Sequence, residues 1–177
     1  LSTLHEQLRA LRLGHFTRAL LQQQTHPATF NEMSFEERLS LLATHELLCR
    51  DNTKVQKLSR QAKLRIDARA SHIDYRANRG LRKDKIAALL SGQYLHHNQN
   101  IILTGATGCG KTYLACALAT QACEQHHSTR YYRLGELLDE LNIGRADGSY
   151  RQQLSALAKR KLLILDDWGM EPLTARQ

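Results

Sequence analysis

The first third of the chain has the apolar spacing of amphipathic helices. Apolar residues recur every three or four positions over Leu1–Gln24, which predicts a helix that bends near Gly14 and ends at Pro27. Ser34 and Glu37 form a capping box, so a second helix is expected to begin there and to run into the sixties. Its apolar face is expected to pack on the first helix.

The rest of the chain alternates short apolar runs with helical spacing, which predicts an α/β fold with a parallel sheet. Strands are predicted over Ile101–Thr104, Arg130–Leu134 and Leu162–Leu165. Helices are predicted over Leu81–Leu95, Tyr113–Glu124, Glu136–Ile143 and from a Ser149 cap to Lys159. Residues Asp67–Gly80 have no clear period and are expected to form an ordered linker. Its aromatic residue, Tyr75, is expected to pack beneath the linker, and stacking on an adenine is the alternative.

A glycine-rich loop lies between the first predicted strand and the helix that follows it. The segment from Gly105 to Thr112 matches the pattern G-x-x-x-x-G-K-[ST], which indicates a polyphosphate site when it lies between a strand and a helix. Glycines allow the backbone to approach the phosphates, and the helix N-terminus presents free N–H groups. Lys111 is expected to reach the β and γ phosphates, and the Thr112 hydroxyl is expected to bind Mg²⁺. An ordinary glycine turn is the weaker alternative.

Two acids follow the last predicted strand. Asp166 and Asp167 come directly after four apolar residues, which is the Walker B pattern. Because parallel strands end at the same edge of a sheet, Asp166 is expected beside Thr112, where it would hold Mg²⁺ directly or through water. Asp167 is then placed to orient an attacking water. We therefore expect Asp167 and Lys111 to be the catalytic residues.

The positive charge of the chain indicates that it also binds an anionic partner. The 177 residues carry a net charge of +8, and the excess is confined to residues 50–85, which hold twelve Lys/Arg and four Asp/Glu. Arg50, Lys54, Lys57 and Arg60 form a stripe on the second helix, and Lys63, Arg65 and Arg69 continue the positive run. Contact with duplex DNA phosphates is favoured slightly over a solvated helix face.

The cysteines and histidines indicate no metal site. The four cysteines contain no C-x-x-C pair, and the adjacent histidines at 96–97 and 126–127 point in different directions. Cys109 is expected to be a neutral loop residue, with a reactive thiol as the alternative. No signal peptide or membrane-length apolar run is present, so a cytoplasmic location is expected. A start at Leu1 and an end at Gln177, soon after the second motif, indicate an incomplete chain.

With both motifs placed, the chain resembles the IstB-like family, the helper ATPases of insertion-sequence transposons, which belong to the AAA+ class and are related to DnaC-type helicase loaders. The resemblance covers nearly the whole chain. Besides the two motifs, it lies in residues 8–13, 34–39, 79–81, 100–105, 135–138 and 145–148, and in the run from Leu163 to Gly169. The first of these segments and the Arg145–Gly148 segment favour this family over other P-loop ATPases.

The resemblance implies an AAA+-like P-loop core, cut short at its C-terminus and preceded by a small helical domain. The expected divisions are residues 1–66 as a helical domain for DNA or partner contact, 67–100 as a basic linker and helix, and 101–177 as the incomplete ATP-binding core. Contacts to ATP are expected from Gly105, Ala106, Thr107, Gly108, Cys109, Gly110, Lys111, Thr112 and Tyr113, with Mg²⁺ on Thr112 and Asp166.

The family also implies ATP-dependent self-assembly on duplex DNA, DNA bending, target-site selection and stimulation of a transposase. Many members carry Glu where this chain has Asp167, and members continue to a sensor strand and an arginine finger beyond position 177. We therefore expect ATP hydrolysis to ADP and phosphate in the full-length protein and weak hydrolysis by this segment. A helicase loader is the leading alternative, and a small-molecule kinase is a third.

Overall fold

The computed structural model describes residues 2–75 and 80–170, apart from the side chain of Ser2. Its contacts group into two units, Leu1–Lys54 and Val55–Gln177. One helix, Phe35–Ala62, crosses the boundary between them. None of the helices within the described ranges combines the length and the apolar character that a membrane span requires.

The first unit is helical. It contains α1 (Ser2–Ala10), α2 (Gly14–Thr25), α3 (Pro27–Phe30) and the first part of α4 (Phe35–Ala62). The predicted first helix is therefore two helices, and the interruption lies just before Gly14, near the predicted bend. The capping box is confirmed, because Glu37 Oε2 accepts hydrogen bonds from the Ser34 amide at 2.7 Å and from its hydroxyl at 2.9 Å.

A buried carboxylate joins the helices of this unit. Glu46 on α4 is 4% exposed and accepts hydrogen bonds of 2.6 Å from the Phe16 amide and from Arg50 Nε. Burial alone would raise the pKa of Glu46, but these hydrogen bonds outweigh it and hold the pKa below its usual value. The Phe16 amide lies in the first turn of α2, so Glu46 supplies an acceptor that a helix N-terminus otherwise lacks.

The second unit contains most of the predicted α/β elements. Its helices are the end of α4, α5 (Lys83–Leu90), α6 (Gln93–His96), α7 (Lys111–Glu124), α8 (Leu134–Asp147) and α9 (Tyr150–Ala158). The helix predicted over Leu81–Leu95 is split, because Gly92 adopts a φ of +80°. The helix after the glycine-rich loop starts two residues earlier than predicted, and α8 is longer than predicted at both ends.

Two strands, β1 (Thr129–Arg133) and β2 (Leu162–Asp166), pair in parallel with Thr129 opposite Leu162 and Arg133 opposite Asp166. The predicted parallel arrangement of the sheet is confirmed for these two strands. The strand predicted at Ile101–Thr104 is wrong, because this segment forms no strand and the sheet in the described residues consists of β1 and β2. It is not buried throughout either, since Ile102 is 85% exposed.

The core of this unit surrounds α7. One side of α7 packs its buried Cys116, Ala117 and Ala119 against Tyr131 and Ile164 of the two strands. The opposite side packs against α5 and the linker in a second cluster. That cluster contains Ile86, Leu114 and Leu118, with Ile73, Tyr75, Leu81, Leu89, Leu90, Ile101 and Leu103 around them.

The linker packs on this core over its described part. Tyr75 is partly buried in the second cluster, which confirms its predicted role as a packing residue. Ala68 is fully buried against α7, and the Tyr113 hydroxyl exchanges hydrogen bonds with the Arg69 backbone at 3.3 and 3.4 Å. Residues 76–79 of the predicted linker, and with them Arg79 of the family resemblance, lie outside the described residues.

Candidate nucleotide site

The glycine-rich loop has the backbone that its sequence predicts. Gly105, Gly108 and Gly110 have φ angles of +152°, +80° and +95°, a region that residues with a Cβ rarely adopt. Gly110 is the N-cap of α7, and no side chain caps that helix end. The first N–H groups of α7 are therefore directed at the loop, where an anion would be stabilised by them and by the helix dipole.

Gly105 is required for a second reason. A Cβ at this position would lie 2.9 Å from Cys109 Sγ, closer than such atoms approach in folded proteins. Cys109 itself is half-buried. The Cys109 sulfur therefore lies against Gly105 on one side of the loop.

Lys111 begins α7, and its side chain folds back over the loop. The ammonium Nζ donates hydrogen bonds to the carbonyl oxygens of Gly105 at 2.8 Å and Ala106 at 2.9 Å. Both acceptors belong to the loop itself. The Lys111 ammonium therefore lies inside the glycine-rich loop, next to the N-terminus of α7.

Thr112 and Asp166 are in direct contact, as the parallel arrangement predicted. The Thr112 hydroxyl donates a hydrogen bond of 2.7 Å to Asp166 Oδ2. The Tyr131 hydroxyl donates to the same oxygen at 2.7 Å, and the Asp167 amide donates to Oδ1 at 2.9 Å. Burial alone would raise the pKa of Asp166, but these donors lower it below its usual value, so the carboxylate is ionised at neutral pH.

Tyr131 is a site residue that the sequence analysis missed. Burial and the hydrogen bond to Asp166 raise the pKa of Tyr131 to about 12, so its hydroxyl remains a donor at neutral pH. Tyr131 lies opposite Ile164 in the sheet. It therefore shares a face of the sheet with Asp166, because alternate residues of a strand point to the same side. The two-residue period of β1 and β2 could therefore have placed it.

Asp167 lies at the exposed end of the site between two arginines. Its carboxylate oxygen Oδ2 is 3.5 Å from Arg133 Nε and 4.0 Å from Arg65 Nη1. Its φ of +57° turns the chain sharply after β2. Tyr131, Asp167 and Asp166 raise the pKa of Arg65, which the sequence analysis assigned to the positive run.

The predicted basic stripe lies along α4. Arg50 is engaged within the first unit, since it pairs with Glu46 at 2.6 Å and donates to the Arg12 carbonyl at 2.6 Å. Lys54, Lys57 and Arg60 are exposed. The stripe therefore offers three solvent-accessible cations, while its first member holds helices together.

A glycine-rich loop at a helix N-terminus, with a lysine, a hydroxyl and a strand-end carboxylate around it, is the arrangement of P-loop nucleotide-binding proteins. The family model described as IstB-like ATP binding protein matches residues 6–177. The chain belongs to this family.

Similar proteins from other organisms support the assignment of the chain to this family. The chain is 46% identical over 168 residues to a protein from Pseudomonas fluorescens named as an ATP-binding protein of insertion sequence IS1162, covering 94% of this chain and 72% of that protein. It is 39% identical over 142 residues to the insertion sequence ATP-binding protein y4pL of Sinorhizobium fredii, covering 80% of this chain and 58% of that protein. This chain thus spans between 58% and 72% of these relatives' length.

Proposed function

We propose that this chain is the ATP-binding part of a transposition helper that assembles on duplex DNA and stimulates a transposase. The observation that supports it most is the contact between Thr112 and Asp166 beside the lysine of the glycine-rich loop. The names of its relatives place them in insertion sequences, which supports the transposition context. The DNA, the transposase and self-assembly are our proposals for this chain.

The triphosphate would bind in the loop from Gly105 to Tyr113. Its β and γ phosphates would replace the two loop carbonyls as partners of Lys111 Nζ, which exchanges neutral acceptors for charged ones. The N–H groups at the start of α7 would add donors that no side chain occupies. Cys109 and Gly105 would hold the loop in the required shape.

Thr112 and Asp166 fit a magnesium site. Mg²⁺ prefers hard oxygen ligands and usually takes only one or two protein ligands, the rest being phosphate oxygens and waters. A hydroxyl and an ionised carboxylate whose oxygens are 2.7 Å apart supply such a pair. The bound ion would neutralise phosphate charge, and the hydrogen bond from Tyr131 would hold the carboxylate in place.

Asp167 would orient the water that attacks the γ phosphate. It lies one residue beyond Asp166 at the carboxyl end of β2, and its exposed carboxylate is held by Arg133 and Arg65. These pairs are weak because both partners are solvent-exposed, so they orient the carboxylate without neutralising it permanently. Hydrolysis in the complete protein is thus compatible with this site.

The exposed cations of α4 would contact DNA phosphates. Lys54, Lys57 and Arg60 recur at three-residue intervals on one helix, so they present charge along one side of it. Such contacts position a protein on a duplex without reading its sequence, and their strength falls steeply with salt.

A titration of labelled duplex DNA tests the proposal, with and without ATP and Mg²⁺, for the wild type and for Lys111→Ala. We expect ATP to tighten duplex binding about tenfold or more in the wild type and to have no effect on the variant. Arg151→Ala, at an exposed position of α9, is the control that retains the ATP effect. ATP-stimulated DNA binding that survives Lys111→Ala would contradict the proposal, and a preference for single strands would favour a helicase loader instead.

A further inference from the structure

A second group of cations lies at the amino ends of the two strands, opposite the nucleotide site. Thr129 pairs with Leu162 at one end of the sheet, and Arg133 pairs with Asp166 at the other. Because a strand rises about 3.3 Å per residue, the two ends are about 13 Å apart. A ligand at the amino ends would therefore leave the triphosphate site free.

The turn between α9 and β2 consists of Lys159, Arg160 and Lys161. Its backbone is fixed to the residue before β1, because the Lys161 amide donates to the Ser128 carbonyl at 2.8 Å and the Ser128 hydroxyl donates to the Lys159 carbonyl at 3.3 Å. The side chains of Lys159 and Lys161 are exposed. The salt bridges within residues 2–75 and 80–170 do not include Lys159, Arg160 or Lys161. Three cations are thus held on one turn, and none of them forms a salt bridge with an acid among the described residues.

Arg130 of β1 and Arg160 line one cavity of about 350 Å³ between the sheet and the α8–α9 hairpin. Glu140 is the acid in its lining. The Arg130 guanidinium lies 4.8 Å from the Tyr132 ring, and its Nη1 donates to the Gln61 carbonyl at 3.1 Å. Its Nε is buried without a hydrogen-bond partner among the described residues. A buried donor without an acceptor is unfavourable, so the described residues leave the Arg130 side chain incompletely satisfied.

Arg130 connects this turn with the end of α4. Gln61 belongs to the last turn of that helix, and Lys57, Arg60 and Lys63 around it are exposed. Residues 55–63 contain no acid. The cations of the α4 end and those of the 159–161 turn therefore border Arg130 from two sides. Like charges gathered in this way repel one another unless an anion lies between them.

His127, which lies just before β1 in the sequence, has a lowered pKa. Burial lowers the pKa of His127, and the nearby His96, Lys161 and His126 lower it further. His127 precedes Ser128, to which the turn is fixed.

We propose that Arg130, Lys159, Arg160 and Lys161 form a second surface for the phosphate backbone of duplex DNA, continuous with the cations at the end of α4. This inference rests on the proposed function, since it assigns another part of the same duplex contact. A duplex presents phosphates at regular intervals on both strands, which suits cations arranged along a surface better than a single anion does. DNA and ATP would then be bound at opposite ends of the sheet at the same time.

The test is the salt dependence of duplex binding, in the presence of ATP and Mg²⁺, for Lys159→Gln/Lys161→Gln. The value of log K falls as log salt rises, and each lost phosphate contact makes this slope shallower by about 0.9. We therefore expect a slope that is shallower by about two, and weaker binding at low salt. The control Arg151→Gln/Gln152→Glu changes the net charge equally at exposed positions about 12 Å along α9 from the turn. It should leave the slope nearly unchanged. Nucleotide affinity should be the same in both variants, which also verifies folding.

The outcomes separate this inference from the proposed function. A slope unchanged in Lys159→Gln/Lys161→Gln, together with binding lost in Lys57→Glu/Arg60→Glu, would overturn the second surface and leave the proposed function standing. Equal slopes in the turn variant and its control would also overturn it, because net charge alone would explain the loss. A wild type that binds no duplex in the presence of ATP would remove the proposed function and this surface together.

Discussion

The Thr112 hydroxyl and the Asp166 carboxylate are joined by a hydrogen bond of 2.7 Å across 54 residues of sequence. Thr112 lies in the first turn of α7, and Asp166 is the last residue of β2. The fold brings them together because α7 packs on the strand pair, and α7 begins at the edge of the sheet where β2 ends. The hydroxyl and the carboxylate lie there next to the free N–H groups of the α7 N-terminus. Together these groups form the proposed site for ATP and Mg²⁺.

Replacing Tyr131 with phenylalanine removes one donor from Asp166 and keeps the ring in the core. Asp166 Oδ2 would then retain the Thr112 hydroxyl as its donor. We expect the free energy of unfolding to fall by about 1 kcal/mol, the usual net worth of a hydrogen bond, with a larger loss if the carboxylate stays buried. Chemical denaturation of both proteins measures the difference.

Tyr132→Phe is the matched control for this substitution, because Tyr132 alternates to the opposite face of β1. Its change in unfolding free energy should be smaller than that of Tyr131→Phe. Equal stability of wild type and Tyr131→Phe would contradict a supporting role for this hydroxyl. Binding of ATP with Mg²⁺ should weaken in Tyr131→Phe and remain unchanged in the control.

Substitution of Gly105 by alanine should disable the glycine-rich loop by two separable effects. The φ of +152° is strained for alanine, and the added Cβ would lie 2.9 Å from Cys109 Sγ. We expect ATP affinity to fall on the order of tenfold or more, since a strain of roughly 1–2 kcal/mol adds to the steric conflict. Calorimetric titration with ATP measures the loss.

The double variant Gly105→Ala/Cys109→Ala separates the two effects, because it removes the conflicting sulfur and leaves the backbone strain. Part of the lost affinity should return. Gly108→Ala is a second comparison, since its φ of +80° is also strained but a Cβ there would meet nothing within 4 Å. No recovery in the double variant would show that the contact between Gly105 and Cys109 does not constrain the loop.

Glu46→Gln should destabilise the helical unit and reduce its pH dependence. The folded unit holds the pKa of Glu46 below its ordinary value of 4.5, so the stabilisation is complete above pH 4.5 and is lost as the pH falls through the folded pKa. At pH 7 we expect a loss of about 1–2 kcal/mol, because the Phe16 amide and Arg50 lose a charged acceptor. Unfolding free energies between pH 7 and pH 3 give both quantities.

The exposed Glu6 of α1 provides the control, as Glu6→Gln changes the net charge equally without touching the Phe16 amide. Its pH profile should follow that of the wild type. If Glu46→Gln retained the full wild-type loss of stability below pH 4.5, Glu46 would not be its source.

Local patterns were enough to predict the elements that depend on local interactions. The capping box at Ser34 and Glu37 and the long helix α4 follow from short-range signals. The segment Ile101–Thr104 was predicted as a strand because it is apolar, but a strand also requires a neighbour, and hydrophobicity cannot supply one. Among the described residues, β1 and β2 pair with each other and leave this segment outside the sheet.

In the site, too, residues that belong to local motifs could be predicted, and a residue placed by tertiary packing could not. The positions of Lys111, Thr112 and Asp166 could be predicted because their roles depend on a loop, a helix start and a strand end. Arg65 could not, because it reaches Tyr131 and Asp167 only after the linker has packed on α7, and its sequence context is a run of cations. A charge pattern alone does not distinguish an arginine that faces DNA from one that faces a carboxylate.

The most direct test is a calorimetric titration of ATP into the wild type and Asp166→Asn, each with Mg²⁺ and with a chelator. Trp168, the single tryptophan, is 69% exposed two residues after Asp166, and its fluorescence offers a second readout. We predict that Mg²⁺ strengthens ATP binding about tenfold or more in the wild type and has little effect in Asp166→Asn, while binding without Mg²⁺ stays similar. An equal gain from Mg²⁺ in both proteins would contradict the assignment of Asp166 and Thr112 as the metal-holding pair.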